Sequence, residues 1–379
     1  MGPPSAARLC ACACILAFAG ADPVPIDGVL RASPDGSVYA YIPPPKGGNH
    51  AAAIEALPDG TLAAAWFTGG EGSPNCSIAI SLLAPGAAAW TAGRIAAEVF
   101  NASSQNPVLH YEPSTARLML WHTVQSPSAG ESSSAIWLAT SGDGGATFSP
   151  TQPFYAVPGA FTRNRLVALP GQGGLVFPCY NSTPGAIPDY PIYLISDPSR
   201  TAWRAVAGPG LDLIQPTVVR LPAPAPAPEG AFVLRSWLRD ENQSAVFRSD
   251  SVDGGSSWSQ PVPTALPNNN AAIQAHTLVS GAVAMVFDDQ RGPGTPRSPL
   301  VIALSDDAGA SWPAQRALQV HDDNSTEVGE YSYPSLLQTS DGAIHVLFTY
   351  DRVCIKYVRV SEAWVRAGNA SGKPSFSRA

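Results

Sequence analysis

Three copies of one short pattern constrain this chain more than any other feature. Ser141–Phe148 (SGDGGATF), Ser251–Trp258 (SVDGGSSW) and Ser305–Trp312 (SDDAGASW) share the form Ser-x-Asp-x-Gly-x-Ser/Thr-aromatic. The first two begin 110 residues apart and the last two 54, so the underlying step is close to 55 residues. A worn copy, Ser196–Trp203 (SDPSRTAW), fills the missing step with its Ser and Trp in register. Trp90 and Trp364 extend the ladder outward, giving aromatic positions at 90, 148, 203, 258, 312 and 364. A fixed period of this size is the mark of a repeat architecture, in which each unit completes its core only against its neighbours.

A second pattern runs in step with the first. IEALPDGTLAAAWF, VLHYEPSTARLMLWH, LVALPGQGGLVFPCY, VVRLPAPAPAPEGAFVLRSW, TLVSGAVAMVFDD and LLQTSDGAIHVLFTY each place two apolar runs around a turn, the reading of a β-hairpin. Short third strands such as AIWLATS, AVFRSD and LVIALS lead into the repeated pattern. No segment carries a sustained 3.6-residue period with caps. Six units of about four strands predict an all-β, six-bladed β-propeller. Glycines in each copy, paired in the first two, permit positive φ, and the Asp accepts backbone N–H groups of its own turn. Asp143, Asp253 and Asp307 are therefore expected to be structural. The APAPAP stretch at 223–228 reads as a stiff extended insertion in the fourth hairpin.

Composition excludes several function classes. Charged residues are 13% of the chain, the net charge is −7, and there are three lysines, so the basic footprint of a nucleic-acid binder is missing. The first residues (MGPPSAARLCACACILAFAG) put Arg8 before an apolar run and small residues, the layout of a secretory leader over residues 1–21. That run is short for a membrane span, and no later stretch reaches the length a span needs. The expected mature unit is one propeller domain over 22–379, secreted or in the secretory lumen, and monomeric. Cys10, Cys12 and Cys14 would leave with the leader; the remaining Cys76, Cys179 and Cys354 allow at most one internal disulfide. Sequons at Asn75, Asn101, Asn181, Asn242, Asn324 and Asn369 suit a glycoprotein. No P-loop, GxSxG, GxGxxG or HExxH pattern occurs, so neither a metal nor another cofactor is expected.

The repeated turns resemble the Asp boxes, or BNR repeats, of the sialidase superfamily. HAAAIEALPDGTLAAAWFTGGEG and GEYSYPSLLQTSDGAIHVLFTYDR are most similar to its divergent sialidase-like branch, and the likeness runs through about residues 48–360. The resemblance implies a funnel at one end of the propeller that holds an acidic sugar. It also implies an arginine triad for the sugar carboxylate, a Tyr nucleophile assisted by Glu, and an Asp acid/base. Arg235 in VLRSW and Arg297 in TPRSPLVIALS match the second and third arginines, and Tyr333 matches the nucleophile. Arginine suits the clamp because its planar fork meets a carboxylate with two parallel hydrogen bonds. The chain departs from the pattern in three places. His50 stands where the first arginine belongs, Gln215 where the glutamate belongs, and the first-blade loop offers Glu71 and Asn75 in place of the aspartate. Arg163 and Arg165 open the third hairpin as substitutes for the missing carboxylate contact, and Asn106 opens the second, positioned for a sugar hydroxyl. Strand alternation predicts Tyr331 and Tyr333 on one face and Glu330 on the other.

Three functions follow from this pattern. The leading expectation is a sialidase-type hydrolase with Tyr333 as nucleophile, Glu71 as acid/base and Arg235 with Arg297 as clamp. A polysaccharide lyase acting on uronic-acid polymers would use Tyr333 and His50 for proton transfer and does not require the missing glutamate. A glycan-binding propeller without catalysis is the third.

Overall fold

The computed structural model describes residues 24–171, 173–182, 188–320 and 329–368. The expected leader and the sequons at Asn324 and Asn369 lie outside the described residues. Six antiparallel sheets are arranged as the blades of a propeller. Blade one comprises His50–Ala56, Leu62–Thr68, Ser77–Leu83 and Arg94–Ala97. Blade two runs from Ser103–Glu112 to Gln152–Tyr155, and blade four from Leu213–Pro222 to Val262–Pro267. In blade three the inner position is split, with Ala160–Thr162 and Val167–Ala168 both pairing with Leu175–Asn181. Blade five runs from Gln274–Thr277 to Ala314–Gln319.

Blade six draws on both ends of the chain. Tyr331–Gln338, Ala343–Tyr350 and Cys354–Ser361 are completed by Val38–Ile42, which pairs with Cys354–Ser361 from Val38↔Arg359 to Ile42↔Ile355. This closure makes the ring continuous and removes two free sheet edges. The middle strands are buried along their whole length, as in Leu62–Thr68 (LAAAWFT) and Leu300–Ser305 (LVIALS). Both faces of each such strand meet a neighbouring blade, which is why these segments read as unbroken apolar runs.

The repeated turns lie at the end of the ring opposite the starts of the inner strands. Asp143 accepts hydrogen bonds from Thr147 N (2.9 Å), Thr147 Oγ1 (2.6 Å) and Ser141 Oγ (2.7 Å), and these hold its carboxyl well below the usual range. Asp253 and Asp307 repeat the pattern with Ser257 N (2.9 Å) and Ser311 N (2.8 Å). The aromatic ladder packs each blade back onto the one before it. Trp203 meets Phe154 edge-on at 5.4 Å, Trp258 stacks on Tyr193 at 3.9 Å, and Trp312 meets Trp237 at 6.0 Å. Trp90 reaches Tyr357 of blade six at 5.2 Å, while Trp364 sits in a short helix, Glu362–Arg366, under the Arg316 guanidinium of blade five. Cys76, Cys179 and Cys354 are buried and unpaired, and burial raises all three thiols.

Candidate active site

The inner strands do not run straight into the funnel. Ala51, Asn106, Gln215, Asn270 and Tyr333 have φ between 47° and 60°, one at or near the start of the inner strand in five of the six blades. In four blades the ladder slips at the same place: His50/Ala53, Gln105/Val108, Ile214/Thr217 and Ser332/Ser335. These are β-bulges, which re-aim side chains at a barrel or propeller mouth. A left-handed conformation in a non-glycine residue costs about 1–2 kcal/mol, and such outliers concentrate at functional sites.

Two of these residues, Gln215 and Tyr333, touch. The buried Tyr333 Oη accepts from Arg239 Nη1 (2.7 Å) and Gln215 Nε2 (3.3 Å). Arg239 also donates to Gln215 Oε1 (3.0 Å) and to Asn270 Oδ1 (2.7 Å), and Gln215 Nε2 lies 3.4 Å from Tyr180 Oη. The guanidiniums of Arg163, Arg239 and Arg297 lie 5.0, 5.7 and 5.4 Å from the Tyr333 ring centre. Burial alone would raise the phenol, but Arg239 and Arg297, with the Gln215 hydrogen bond, outweigh it and bring Tyr333 below its ordinary value.

A second layer surrounds this centre. Glu330 accepts from Arg297 Nη1 (2.9 Å) and Arg352 Nε (2.8 Å), and Arg352 Nη1 also pairs with Glu71 (2.8 Å). His50 packs its ring 4.1 Å from that of Tyr333, and its Nδ1 lies 2.8 Å from Thr349 Oγ1. Its Nε2 is 3.5 Å from Arg352 Nη2, which can only donate, so the ring proton belongs on Nδ1. Burial, reinforced by Arg352, Arg297, Arg163 and Arg239, pushes His50 well below its usual value, so the imidazole is neutral. Four arginines, Arg163, Arg239, Arg297 and Arg352, gather around Tyr333, and two carboxylates, Glu330 and Glu71, pair with Arg297 and Arg352. The cavity beside Tyr333 is also lined by Glu71, Asn106, Glu131, Phe161, Tyr180, Asp189, Gln215, Arg239 and Glu241. Among the described residues no group of three or more His, Cys, Asp or Glu is arranged to hold a metal ion.

Of the residues expected from sequence, His50, Glu71, Gln215, Arg297 and Tyr333 converge at this mouth. Arg235 does not. It forks onto Asp250 (2.7 and 2.8 Å) and donates to the Ala308 carbonyl in the turn region at the far end. Arg239, four residues on and past the middle of the same strand, reaches Tyr333 instead. Arg163 is buried beneath the ring, donating to the Ala52 (3.0 Å) and Pro334 (2.7 Å) carbonyls across the central channel. Arg165 pairs with Glu55 (3.1 Å) and donates to the Ile54 carbonyl. Neither is placed as a surface for a ligand carboxylate. The expected common face for Tyr331 and Tyr333 is also corrected. The bulge at Tyr333 breaks alternation, so Tyr331 joins the core beside Tyr350 (5.2 Å) while Glu330 faces the arginines. Arg239, Arg352 and Asn270 were missed because strand ends and bulges carry no periodic signal. Asn181 is buried in a strand with its amide donating to the Pro158 carbonyl (2.9 Å).

Comparison with known proteins agrees with this geometry. The BNR repeat-like domain matches residues 60–346, well over half of the chain. The chain belongs to that family. No curated protein matches the sequence. Among solved structures, the Hadza microbial sialidase Hz136 superposes with a TM-score of 0.69 at 16% identity, covering 84% of this chain and 66% of that one. The Ruminococcus gnavus intramolecular trans-sialidase, solved with oseltamivir carboxylate, gives 0.63 at 13% identity, covering 84% and 96%. A Dyadobacter fermentans protein of unknown function gives 0.66 at 14% identity, covering 88% and 99%. The fold is thus that of a divergent, sialidase-like BNR propeller.

Proposed function

We propose that this chain is a sialidase-like glycoside hydrolase that releases a terminal acidic sugar from glycans, acting as a secreted or lumenal monomer. One observation carries the reading: a buried tyrosine, held in a strained bulge, whose hydroxyl is gripped by Arg239 at 2.7 Å inside a cluster of arginines. A tyrosine nucleophile suits an acidic sugar, because a carboxylate in its place would repel the substrate's own charge. Arg239, Arg297 and Arg352 supply the positive charge that receives the sugar carboxylate. Gln215 cannot accept the phenol proton, and the arginines compensate by favouring the phenolate directly. Tyr333 Oη then attacks the anomeric carbon, the glycosidic C–O bond breaks, and water later displaces the tyrosine oxygen.

The neutral His50 against Tyr333 favours a second reading, a lyase acting on a uronic-acid polymer, in which these two residues move the proton α to the carboxylate and an arginine neutralises that group. One assay separates the two: purified protein is incubated with 3′-sialyllactose and with uronic-acid polymers, and free acid and unsaturated ends are measured together. The hydrolase reading expects free sialic acid, lost in Tyr333→Phe. Unsaturated ends would reassign the chain to the lyases. Silence on both channels with retained glycan binding would make it a binding propeller.

A further inference from the structure

The hydrolase reading leaves one position open, the group that protonates the departing sugar oxygen. Glu71, the sequence expectation, lines the cavity but is engaged with Arg352 at 2.8 Å and is 44% exposed. Three other carboxyl groups share the cavity wall. Glu131 accepts from Ser182 Oγ (3.0 Å), and Asp189 is likewise partnered. The Glu241 carboxyl makes no hydrogen bond or ion pair among the described residues. It stands in the turn that follows Phe232–Asp240, two residues after Arg239, and both residues line the cavity. Its position is fixed from both sides: its backbone N–H donates to the Asp212 carbonyl (3.0 Å), while Asp240 accepts from Asn242 N and Ser244 N (both 2.9 Å).

We infer that Glu241, and not Glu71, is the proton donor to the leaving group in this reaction, an assignment that rests on the hydrolase reading. As the glycosidic bond breaks, the Glu241 carboxyl gives its proton to the leaving oxygen, which departs as an alcohol. The resulting carboxylate then takes a proton from the water that attacks the sugar, and Tyr333 leaves as phenolate. The charged groups facing Glu241 are Asp189, Asp212, Glu131 and Arg239; burial, helped by Asp189 and opposed by Arg239, raises its carboxyl to about 7. It therefore holds its proton near neutral pH, as a general acid must.

The test compares kcat/KM on two probes, 3′-sialyllactose, whose leaving group needs a proton, and a 4-nitrophenyl sialoside, whose leaving group does not. In Glu241→Gln the lactose substrate should lose roughly 10²- to 10⁴-fold, the usual range for a general acid. The aryl substrate should lose far less, and the alkaline limb of the pH profile on lactose should disappear. Retained aryl turnover also shows that the variant is folded. Equal losses on both probes, a persisting limb, or the selective pattern appearing in Glu71→Gln instead would overturn the assignment. Wild-type inactivity on both probes would refute the hydrolase reading itself, an outcome distinct from any of these.

Discussion

Arg239→Met isolates the electrostatics on which the site depends. The guanidinium is the nearest cation to Tyr333 Oη, at 2.7 Å, and methionine keeps much of the apolar stem while removing the charge. A hydrogen bond to a charged group is worth about 1.5–3 kcal/mol, and each 1.36 kcal/mol is tenfold in proton affinity. Tyr333 should therefore hold its proton roughly 10- to 150-fold more tightly in the variant. Absorbance titration can read this if each protein is subtracted from its Tyr333→Phe counterpart, since the difference isolates one tyrosine of eleven. Arg239→Lys retains the charge but loses the fork that also reaches Gln215 and Asn270, so its phenol should move less. The substitution strands the Gln215 and Asn270 acceptors, each costing about 1–3 kcal/mol, while relieving a buried charge. Circular dichroism should accompany the titration to confirm a folded variant. If Tyr333 titrates at the same pH with and without Arg239, the guanidinium does not activate it and the proposed route to the phenolate is wrong.

Three further outcomes follow from the same structure. Arg235→Gln should leave kcat/KM unchanged and lower Tm, because Arg235 joins Asp250 to the Ala308 carbonyl far from the funnel; a large activity loss would restore it to the site. Gly309→Ala should cost about 2–4 kcal/mol in denaturant unfolding, adding a strained φ of 87° to a Cβ that would sit 2.4 Å from the buried Trp237 ring. Gly145→Ala, whose Cβ meets only the methyl ends of Leu118 (3.2 Å), Leu82 (3.4 Å) and Ile80 (3.7 Å), should cost less, and equal losses would contradict the clash argument. Glu241 holds its proton more tightly folded (about 7) than unfolded (about 4.5), so the unfolded chain binds fewer protons between these values and stability falls as pH rises through that window. The Tm advantage of Glu241→Gln over wild type should accordingly grow from pH 4.5 to 7 and then level off; a constant difference would show that no such proton is held.

The period of the repeats was legible because it is written in local chemistry. A Ser-x-Asp-x-Gly turn closes on its own backbone, and its aromatic needs only the preceding blade to pack against, so Asp143, Asp253, Asp307 and the six-step ladder could be read from spacing alone. Tyr333, Arg297, His50, Gln215 and Glu71 were found because they stand at the starts of inner strands or in loops at the same end of a blade. The contribution of Val38–Ile42 to blade six was not legible, since no local signal marks a strand whose partner lies some 320 residues away.

What the sequence determined by itself was therefore the blade, the count of blades and the end of the ring where polar residues gather. Only the tertiary structure decided which of those residues meet. The choice of Arg239 over Arg235 turns on four residues along one nine-residue strand, about 13 Å, and alternation does not say which end faces the funnel. Bulges at Gln215 and Tyr333 then reverse the side-chain order that alternation predicts, aiming Glu330 at the arginines and sending Tyr331 into the core. A bulge is stabilised by contacts across the ring, such as Arg239 on Tyr333 and Arg163 on the Pro334 carbonyl, so its cost and its cause lie in residues distant along the chain.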